Sequence, residues 1–447
     1  MLNPKAFKAY DIRGMYPTEL DEEGAYAIGR GYVEEFEPRT IAIGRDTRLS
    51  APAMTVAVIE GALDGGADVL DIGMVGTEML YHAVGSLSLD GGICVTASHN
   101  PKEYTGMKIV RAGALPVGGD SGLEEIKQRA NAGFGAVTRR GSVRAEDIWP
   151  SFVDKVLSFV DEDALRPLKL VIDGANGMAG TMLAPVLDRL PQIEVVRCYF
   201  EPDGSFPHHE PNPLLPENRA FIVDKTRSEG ADLGIAFDGD ADRCFFVDDT
   251  GEFIPGDFAT ALLAQVMLAK SPGGKVIYDV RASWAVPRTI EEAGGIPLMN
   301  RVGHAFIKQR MRADHAIFGG EVSAHYYFSD FSQADTGTVP FLLMLELLSK
   351  RGRISELLAP FRAKYFLTGE INTPVADVAA KLQHIEEHYS GKGARITHLD
   401  GVSVDFDDWH FNVRPSNTEP LLRLNLEAFT QAEMESHRDE VVELIRS

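Results

Sequence analysis

One pattern recurs along this chain: an apolar strand runs into a polar turn, a helix-compatible segment follows, and a second apolar strand comes next. The three copies begin at Thr40, Leu168 and Lys275. This order predicts parallel β-α-β units, in which a helix crosses over a pair of neighbouring strands. The expected helices and closing strands are residues 53–63 and 69–72, 182–190 and 193–198, and 286–293 and 296–299. The repetition indicates an α/β fold.

The length of 447 residues leaves room for several domains with separate cores. We expect domain limits at residues 1–145, 146–250, 251–364 and 365–447. The last of these has a different pattern from the others. Residues 397–411 alternate between apolar and polar side chains around Asp400-Gly401, which predicts a hairpin, and residues 431–445 predict a closing helix. We expect three α/β domains and a shorter α+β domain.

The charge balance excludes some classes of partner. The chain has 44 Lys and Arg against 66 Asp and Glu, a net charge of −22, with a pI near 5.0. Nucleic acids and anionic membranes bind basic surfaces, so neither is expected as a partner. An apolar run long enough to span a membrane is missing from the sequence. Cys94, Cys198 and Cys244 are widely spaced, which is typical of reduced thiols in a cytoplasmic protein.

A cluster of small polar residues follows the apolar stretch 91–95. Ser98 and His99 stand in the sequence TASHNP at 96–101, and Asn100-Pro101 cannot continue regular structure. We therefore expect Ser98 and His99 on a sharp, exposed turn at the end of a buried strand. Such a turn is a good position for a reactive hydroxyl, although an ordinary polar turn has the same composition.

Three aspartates are crowded into one short loop between two apolar stretches. Asp238, Asp240 and Asp242 stand in DGDADR at 238–243. Carboxylates this close together require a cation, and hard oxygen ligands favour Mg²⁺ or Ca²⁺ over zinc. The spacing excludes an EF-hand, because Arg243 stands where that loop needs glycine. The alternative is a solvated acidic turn.

Two further stretches have polar residues suited to a sugar phosphate. In GGEVSAH at 319–325, Glu321, Ser323 and His325 alternate, so an extended backbone would point all three the same way. A carboxylate beside a hydroxyl suits adjacent sugar hydroxyls, and a nearby histidine suits proton transfer. The stretch RPSNTEP at 414–420 combines a guanidinium, hydroxyls and an amide, which suits a phosphate but also a capped turn.

The sequence HIEEH at 384–388 matches a zinc-protease pattern, which we reject. Thr373-Pro374 is expected to open a helix whose apolar residues share one face. His384 and His388 fall on the opposite face, where solvent surrounds them. Metal binding is not expected there.

Taken together and in this order, the motifs resemble those of the α-D-phosphohexomutase superfamily over almost the whole chain. The matching stretches are YDIRG at 10–14, TASHNP at 96–101 with Lys108, DGDADR at 238–243, GEVSAH at 320–325 and RPSNTEP at 414–420. The resemblance implies four domains around a central cleft, the first three with a related mixed α/β core and the fourth α+β. Val322 stands where the aminosugar branch has glutamine, and SAHYYF at 323–328 most resembles the bacterial phosphomannomutase branch.

The resemblance also implies roles for individual residues. Ser98 would carry the phosphoryl group, Asp238, Asp240 and Asp242 would bind one Mg²⁺ together with Ser98, and Lys108 and His325 would transfer protons. His99 and Arg243 are expected beside them in the catalytic group. The expected substrate-binding residues are Tyr10, Arg13, Arg281, Gly303, His304, Glu321, Ser323, Arg414, Ser416, Asn417, Thr418 and Arg423. To act as a base, Lys108 would need a lowered pKa, which a nearby Mg²⁺ or Arg243 would produce.

The implied reaction interconverts the 1- and 6-phosphates of mannose through a hexose 1,6-bisphosphate, which also serves as activator. Glucose phosphates are a second expected substrate pair. Within the class, a mutase acting mainly on glucose phosphates is the alternative. A serine-dependent sugar phosphatase and a non-catalytic sugar-phosphate-binding protein are more remote alternatives. The sequence indicates no oligomeric state.

Overall fold

The computed structural model describes residues 2–416 and 421–447. They divide into two compact units. The first unit comprises the residues up to Ile254 together with Ser323–Ile354, and the second comprises Pro255–Val322 together with Ser355–Ser447. The expected domain limits at 145, 250 and 364 stay a prediction.

The first unit begins with a mixed sheet flanked by helices. In chain order its elements are β1 Ile12–Met15, α1 Glu22–Phe36, β2 Thr40–Arg45, α2 Ala51–Gly65, β3 Asp68–Met74, α3 Thr77–Ser86, β4 Gly91–Val95, β5 Tyr104–Arg111, β6 Leu115–Pro116, α4 Leu123–Ala132 and β7 Val143–Ala145. The strand order is β1-β5-β4-β2-β3-β7, with β6 on β5. Strand β2 is parallel to both β3 and β4, so the carboxyl ends of β2 and β4 meet at one edge. This edge holds the Ser98 turn.

A second sheet in the same unit carries the aspartate loop. Its elements are α5 Trp149–Leu157, β8 Leu168–Asp173, α6 Ala179–Asp188, β9 Ile193–Cys198, α7 Pro216–Glu229, β10 Leu233–Phe237, β11 Cys244–Val247 and β12 Phe253–Ile254. The order is β12-β11-β10-β8-β9, with β8 parallel to β9 and β10 and with β11 antiparallel to β10. Strand β10 is a fully buried apolar run, and β8 is buried except at Lys169, as expected for parallel strands packed between helices.

The next elements are shared between the two units. In the second unit lie α8 Gly256–Lys270, β13 Lys275–Asp279, α9 Ala285–Glu292, β14 Ile296–Asn300, α10 His304–Asp314 and β15 Phe318–Gly320, with β13 parallel to β14 and β15. In the first unit lie β16 Tyr326–Phe328, β17 Ala334–Asp335 and α11 Thr338–Arg351, and β16 pairs antiparallel with β17. Short 3₁₀ helices span Pro4–Ala6, Ala112–Ala114 and Glu162–Ala164.

The carboxyl-terminal part of the second unit is an antiparallel sheet with helices. Its elements are α12 Ile354–Arg362, which begins at the last residue of the first unit, β18 Phe366–Pro374, α13 Val378–Tyr389, β19 Arg395–Thr397, β20 Val402–Asp405, β21 Trp409–Pro415, β22 Leu421–Ala428 and α14 Gln431–Arg446. The order is β18-β22-β21-β20-β19. Ile385 and Tyr389 of α13 and Val441 of α14 pack with the sheet in one apolar core. The α+β expectation, the hairpin and the closing helix are confirmed.

All three predicted β-α-β units are present. They are β2-α2-β3, β8-α6-β9 and β13-α9-β14, and each pair of strands is parallel. The three cysteines are free and buried, as expected. Within the described residues, no helix combines the length and the apolar character that crossing a membrane requires.

The predicted helix start at Thr373-Pro374 is wrong. Pro374 is the last residue of β18, opposite Leu421, and strand ends tolerate a residue without an N–H. The helix begins after Asp377, whose carboxylate accepts a hydrogen bond from the Ala380 N–H at 3.0 Å. His384 is nevertheless exposed on α13, as the rejection of a zinc site assumed.

Candidate active site

Ser98 lies on the loop that follows β4, and its backbone has the left-handed φ of 46°. Its N–H donates to Thr96 Oγ1 at 2.9 Å, and its hydroxyl donates to Asp238 Oδ2 at 2.7 Å. The sharp turn is therefore present, but it is not exposed as expected, since Ser98 is only 1% exposed. The aspartate loop of the neighbouring sheet covers it, because Gly239 approaches the Ser98 carbonyl so closely that an added Cβ would lie 2.4 Å from the oxygen.

His99 follows Ser98, and its Nδ1 lies 3.2 Å from the Ser98 hydroxyl. Burial, together with the cations Arg243 and Arg13, lowers the pKa of His99 well below its usual value. The ring is therefore neutral at physiological pH and can accept or donate one hydrogen bond to the hydroxyl.

Asp238, Asp240 and Asp242 occupy the loop between β10 and β11, and all three are fully buried. One oxygen from each carboxylate lies within 4.8 Å of the others. Asp240 Oδ1 and Asp242 Oδ1 have no hydrogen-bond partner among the described residues. Buried carboxylate oxygens without a donor are costly unless a cation binds them, so these residues fit a hard divalent ion such as Mg²⁺.

The pKa values of the three aspartates move in opposite directions. Burial and repulsion from Asp242 and Asp240 raise the pKa of Asp238 well above its usual value. Burial would also raise the pKa of the other two carboxyls, but attraction to Lys108 outweighs it and lowers both. The cluster thus holds its negative charge on Asp240 and Asp242.

Lys108 of β5 forms ion pairs with both of these aspartates. Its Nζ lies 2.7 Å from Asp240 Oδ2 and also donates to Asp242 Oδ2. Burial alone would lower the pKa of Lys108, but the two carboxylates outweigh burial and raise it. The expected lowering is therefore absent here, because the nearest charges are anions and not Arg243.

Two threonines that the sequence analysis missed also hold Asp240. Thr77, the first residue of α3, donates from Oγ1 to Asp240 Oδ2, and Thr96 donates to the same oxygen at 3.3 Å. With Lys108, they direct three donors at Oδ2, whereas Oδ1 has no donor among the described residues. These contacts join distant parts of the sequence, so no local pattern indicated them.

Arg243 and His325 lie side by side in the first unit. The Arg243 Nε donates to His325 Nε2 at 3.2 Å, and Ser323 Oγ lies 3.2 Å from His325 Nδ1. His325 Nε2 is also 3.6 Å from Asp242 Oδ1. The segment 321–325 is a turn, with a φ of 64° at Ala324, so the expected extended spacing is wrong. Ser323 and His325 still meet, through the turn.

Arg13 binds the loop at residues 96–103, between β4 and β5, which carries Ser98 and is called the reactive loop below. Its guanidinium donates to the Ala97 carbonyl and to Asn100 Oδ1, and it forms an ion pair with Asp11 at 2.7 Å. Tyr10 precedes this pair and is half-buried. Whether either contacts a substrate, as the resemblance implied, stays a prediction.

A second group of predicted residues lies in the second unit, around a carboxylate that the sequence analysis missed. Glu370 of β18 accepts hydrogen bonds from Arg414 at 3.0 Å and Arg423 at 2.8 Å, and Arg281 lies 3.6 Å away. Burial would raise the pKa of Glu370, but these three arginines outweigh it and lower the pKa. Among the described residues, Arg414 Nε and Arg423 Nε have no hydrogen-bond partner. Three guanidinium groups around one carboxylate leave this group with a net positive charge, which suits an anion.

The second unit contains the other residues predicted to bind substrate. Glu321 accepts a hydrogen bond from the Gly303 N–H at 3.0 Å and lies 4.0 Å from Arg281. His304 is the first residue of α10, and Ser416 Oγ accepts from Arg423 at 3.3 Å. Asn417 and Thr418 lie outside the described residues.

Models of four domain families match this chain in succession. They are the phosphoglucomutase/phosphomannomutase alpha/beta/alpha domains I, II and III, at residues 4–135, 150–251 and 255–365, and the C-terminal domain of the same family, at residues 370–444. The chain belongs to the phosphoglucomutase/phosphomannomutase family. The four-domain α/β architecture expected from the sequence is thereby confirmed.

Relatives match over the full length. A phosphomannomutase from Salmonella montevideo is 45% identical over 456 aligned residues, covering 100% of both chains. A protein from Xanthomonas campestris described as phosphohexose mutases is 45% identical over 446 residues, covering 99% of each. The X-ray structure of a family protein from Burkholderia thailandensis superposes with a TM-score of 0.92 at 32% identity, over 100% of this chain and 98% of that one. A putative phosphomannomutase from Thermus thermophilus, at 23% identity and a TM-score of 0.84, shows the same fold.

The chain is accordingly an isomerase of the phosphohexomutase class, which transfers a phosphoryl group within a hexose phosphate. The family is metal-dependent, and the buried aspartate cluster could bind the metal. Neither the phosphatase nor the non-catalytic alternative is supported by these relatives.

Proposed function

We propose that this enzyme is a phosphomannomutase that interconverts D-mannose 1-phosphate and D-mannose 6-phosphate, with glucose phosphates as a second substrate pair. The observation that carries the proposal is the Ser98 hydroxyl, held 2.7 Å from Asp238 within a cluster in which one oxygen each of Asp240 and Asp242 has no hydrogen-bond partner among the described residues. A nucleophilic hydroxyl beside a cation site suits reversible phosphoryl transfer. The sugar is inferred from the full-length relatives, which are described as phosphomannomutases.

In the proposed mechanism, phosphorylated Ser98 gives its phosphoryl group to the free hydroxyl of the bound sugar phosphate. The P–O bond to Ser98 Oγ breaks as the bond to the sugar oxygen forms, and the product is a hexose 1,6-bisphosphate. The bisphosphate then reverses its orientation, and Ser98 takes back the other phosphoryl group. One Mg²⁺ held by the three aspartates and Ser98 would neutralise charge on the transferring group when bound.

The residues near Ser98 handle the protons in this proposal. The attacking sugar hydroxyl loses a proton in the first transfer. Once the P–O bond to Ser98 has broken, the serine oxygen gains a proton. His325 accepts the first, and its Nε2 lies 3.2 Å from Arg243 Nε. Lys108, an ammonium in this structure, supplies the second, with His99 and Arg243 orienting the oxygens.

Other residues would hold the substrate. Glu321 and Ser323 bind the 3- and 4-hydroxyls, and mannose and glucose differ only at C2, so this contact scarcely separates the two sugars. The phosphate that is not being transferred would bind Arg414, Arg423, Ser416, Asn417 and Thr418. Tyr10 and Arg13 of the first unit and Arg281, Gly303 and His304 of the second unit are the other proposed substrate contacts. We place the enzyme in the cytoplasm, because its three buried free cysteines suit a reducing compartment.

The test of this proposal is Ser98→Ala. We expect intact-protein mass spectrometry to find wild type heavier by one phosphate and the variant without it. The variant should lose turnover of mannose 1-phosphate in a coupled assay while it still binds that sugar phosphate by calorimetry. Full activity in the variant would exclude Ser98 as the phosphoryl carrier.

The preference between mannose and glucose phosphates needs a separate experiment. Comparing kcat/KM for mannose 1-phosphate and glucose 1-phosphate measures the preference directly, since that ratio reflects differential transition-state binding. We expect comparable values with mannose favoured. A strong excess for glucose would make the enzyme a phosphoglucomutase, the alternative within the class.

A further inference from the structure

Arg48 is buried beneath the reactive loop and has no place among the residues considered so far. It follows β2, which lies parallel to β4, so the two loops that leave these strands meet at one sheet edge. Its side chain is only 1% exposed. A buried arginine is rare unless it is paired and hydrogen-bonded. The contacts of Arg48 therefore indicate which part of the structure it holds in place.

The Arg48 guanidinium donates four hydrogen bonds, all to backbone carbonyls between Ser98 and Tyr104. Nη2 donates to the carbonyls of Ser98 at 2.9 Å and Asn100 at 2.6 Å. Nη1 donates to the carbonyls of Pro101 at 2.7 Å and Tyr104 at 3.0 Å. One planar cation therefore fixes the path of the backbone from Ser98 to the start of β5.

The cation is itself held in place. Its Nε lies 3.3 Å from Asp46 Oδ2, and the Arg48 N–H donates to the other oxygen of that carboxylate at 2.9 Å. The guanidinium carbon also lies 5.2 Å from the centre of the Phe206 ring, which belongs to the segment after β9. Arg48 thus connects the Ser98 loop to the sheet that carries the aspartates.

We propose that Arg48 is a positioning residue for phosphoryl transfer to and from Ser98, a role that rests on the proposed function of Ser98. Ser98 has a left-handed backbone, which a serine does not adopt readily, and its hydroxyl must face Asp238. Pinning the Ser98 carbonyl keeps the hydroxyl in that direction. Since transfer requires aligned reacting atoms, a displacement of about 1 Å can cost about 100-fold in rate.

Arg48→Lys is the first test. Lysine keeps the positive charge, but its compact ammonium cannot make four coplanar hydrogen bonds. We expect kcat to fall about 100-fold with little change in KM, because the groups that would bind the sugar are untouched. A kcat equal to that of wild type would overturn the proposal.

Arg48→Ala allows a rescue experiment. The variant leaves a cavity shaped for a guanidinium ion, so guanidinium at low, non-denaturing concentration should restore part of kcat, whereas sodium at equal ionic strength should not. The matched control is Arg30→Ala, which removes a buried arginine that donates to the Asp64 and Gly135 carbonyls, away from the reactive loop. Equal loss of kcat in both variants, or equal rescue, would reduce Arg48 to a stability role.

Hydrogen–deuterium exchange tests the positioning without using the reaction. We expect faster exchange of the amides at residues 97–100 and 102–104 in Arg48→Lys than in wild type, and no such change in Arg30→Ala. Unchanged exchange in this segment would refute the role of Arg48 even if Ser98 is phosphorylated. If wild type carried no phosphoserine, the proposed function would fail instead, and the exchange result would still decide whether Arg48 fixes the loop.

Discussion

Glu78, in the first turn of α3, is a fully buried carboxyl in the first unit. It accepts hydrogen bonds from the Thr338 hydroxyl and from the Thr338 N–H, at the start of α11. Burial raises its pKa from 4.5 to about 8, although the threonine donors oppose the rise. Glu78 is therefore largely protonated at neutral pH and joins two helix amino termini without placing a charge between them.

This raised pKa makes the stability of the enzyme depend on pH. Between pH 4.5 and 8 the folded state binds a proton that the unfolded state has released, so the free energy of unfolding falls as pH rises. At about 1.4 kcal/mol for each pH unit, the loss amounts to at most about 5 kcal/mol. Glu78→Gln removes the titrating group, so we expect the variant to gain stability relative to wild type as pH rises through this range.

Urea unfolding of both proteins at several values between pH 5 and 8 measures this difference. Glu124→Gln is the matched control, because Glu124 lies on the surface of α4 in the same unit. Parallel pH profiles for wild type and Glu78→Gln would show that Glu78 does not titrate in this range.

The sequence predicted the site residues that stand in short local motifs. It did not predict the residues from distant parts of the chain that hold those motifs in place by hydrogen bonds. Ser98 and the three aspartates were predicted because each stands in a short polar loop after an apolar strand. Arg48, Thr77 and Glu370 were not, since each meets its partner across a long stretch of sequence. The burial of Ser98 was missed for the same reason, as the loop that covers it belongs to another sheet.

Helices α1 and α2 approach each other closely at two glycines. At this contact the helices pack together only because neither position carries a side chain. A Cβ added at Gly29 would lie 2.4 Å from the Val58 carbonyl oxygen, and one added at Gly61 would lie 2.1 Å from the Tyr26 carbonyl oxygen. Backbone atoms cannot move aside as a flexible side chain can. The α1–α2 contact therefore requires both glycines.

We expect Gly61→Ala to destabilise the protein even though alanine favours a helix. The propensity gain is about 1 kcal/mol, whereas overpacking against a fixed backbone typically costs about 1–3 kcal/mol or more. Thermal unfolding measures the net effect. Gly135→Ala is the control, because a Cβ there meets nothing within 4 Å and the backbone φ is not left-handed. Equal melting temperatures for wild type and Gly61→Ala would show that the helices can separate slightly at no cost.

The repeated apolar pattern predicted the β-α-β units correctly. The position of Pro374 did not predict the start of a helix correctly. The three β-α-β units follow from alternation of apolar strands and amphipathic segments, which is a local property. Pro374, however, is compatible with the first turn of a helix and with the end of a strand. Pairing of β18 with β22 decides between them, and that partner lies about 50 residues further along the chain.

Across the whole molecule, the net charge of −22 repels an anionic substrate, so binding depends on local contacts. The arginine group around Glu370 is such a contact region. Arg414 is only 6% exposed and keeps Nε without a partner among the described residues. At physiological ionic strength, charges beyond about 8 Å are largely screened. A neighbouring guanidinium should therefore matter far more to a bound phosphate than the distant excess of acids.

Arg414→Ala and Arg446→Ala separate these two effects, because each changes the net charge by one. Arg446 is exposed at the end of α14, whereas Arg414 belongs to the group that would bind the phosphate. A lost charge-assisted hydrogen bond costs about 1.5–3 kcal/mol, so Arg414→Ala should raise KM for mannose 1-phosphate by roughly ten- to 150-fold. Arg446→Ala should leave KM nearly unchanged, as steady-state kinetics at fixed ionic strength will measure. Similar increases in both variants would mean that the substrate responds to total charge, and that Arg414 does not contact the phosphate.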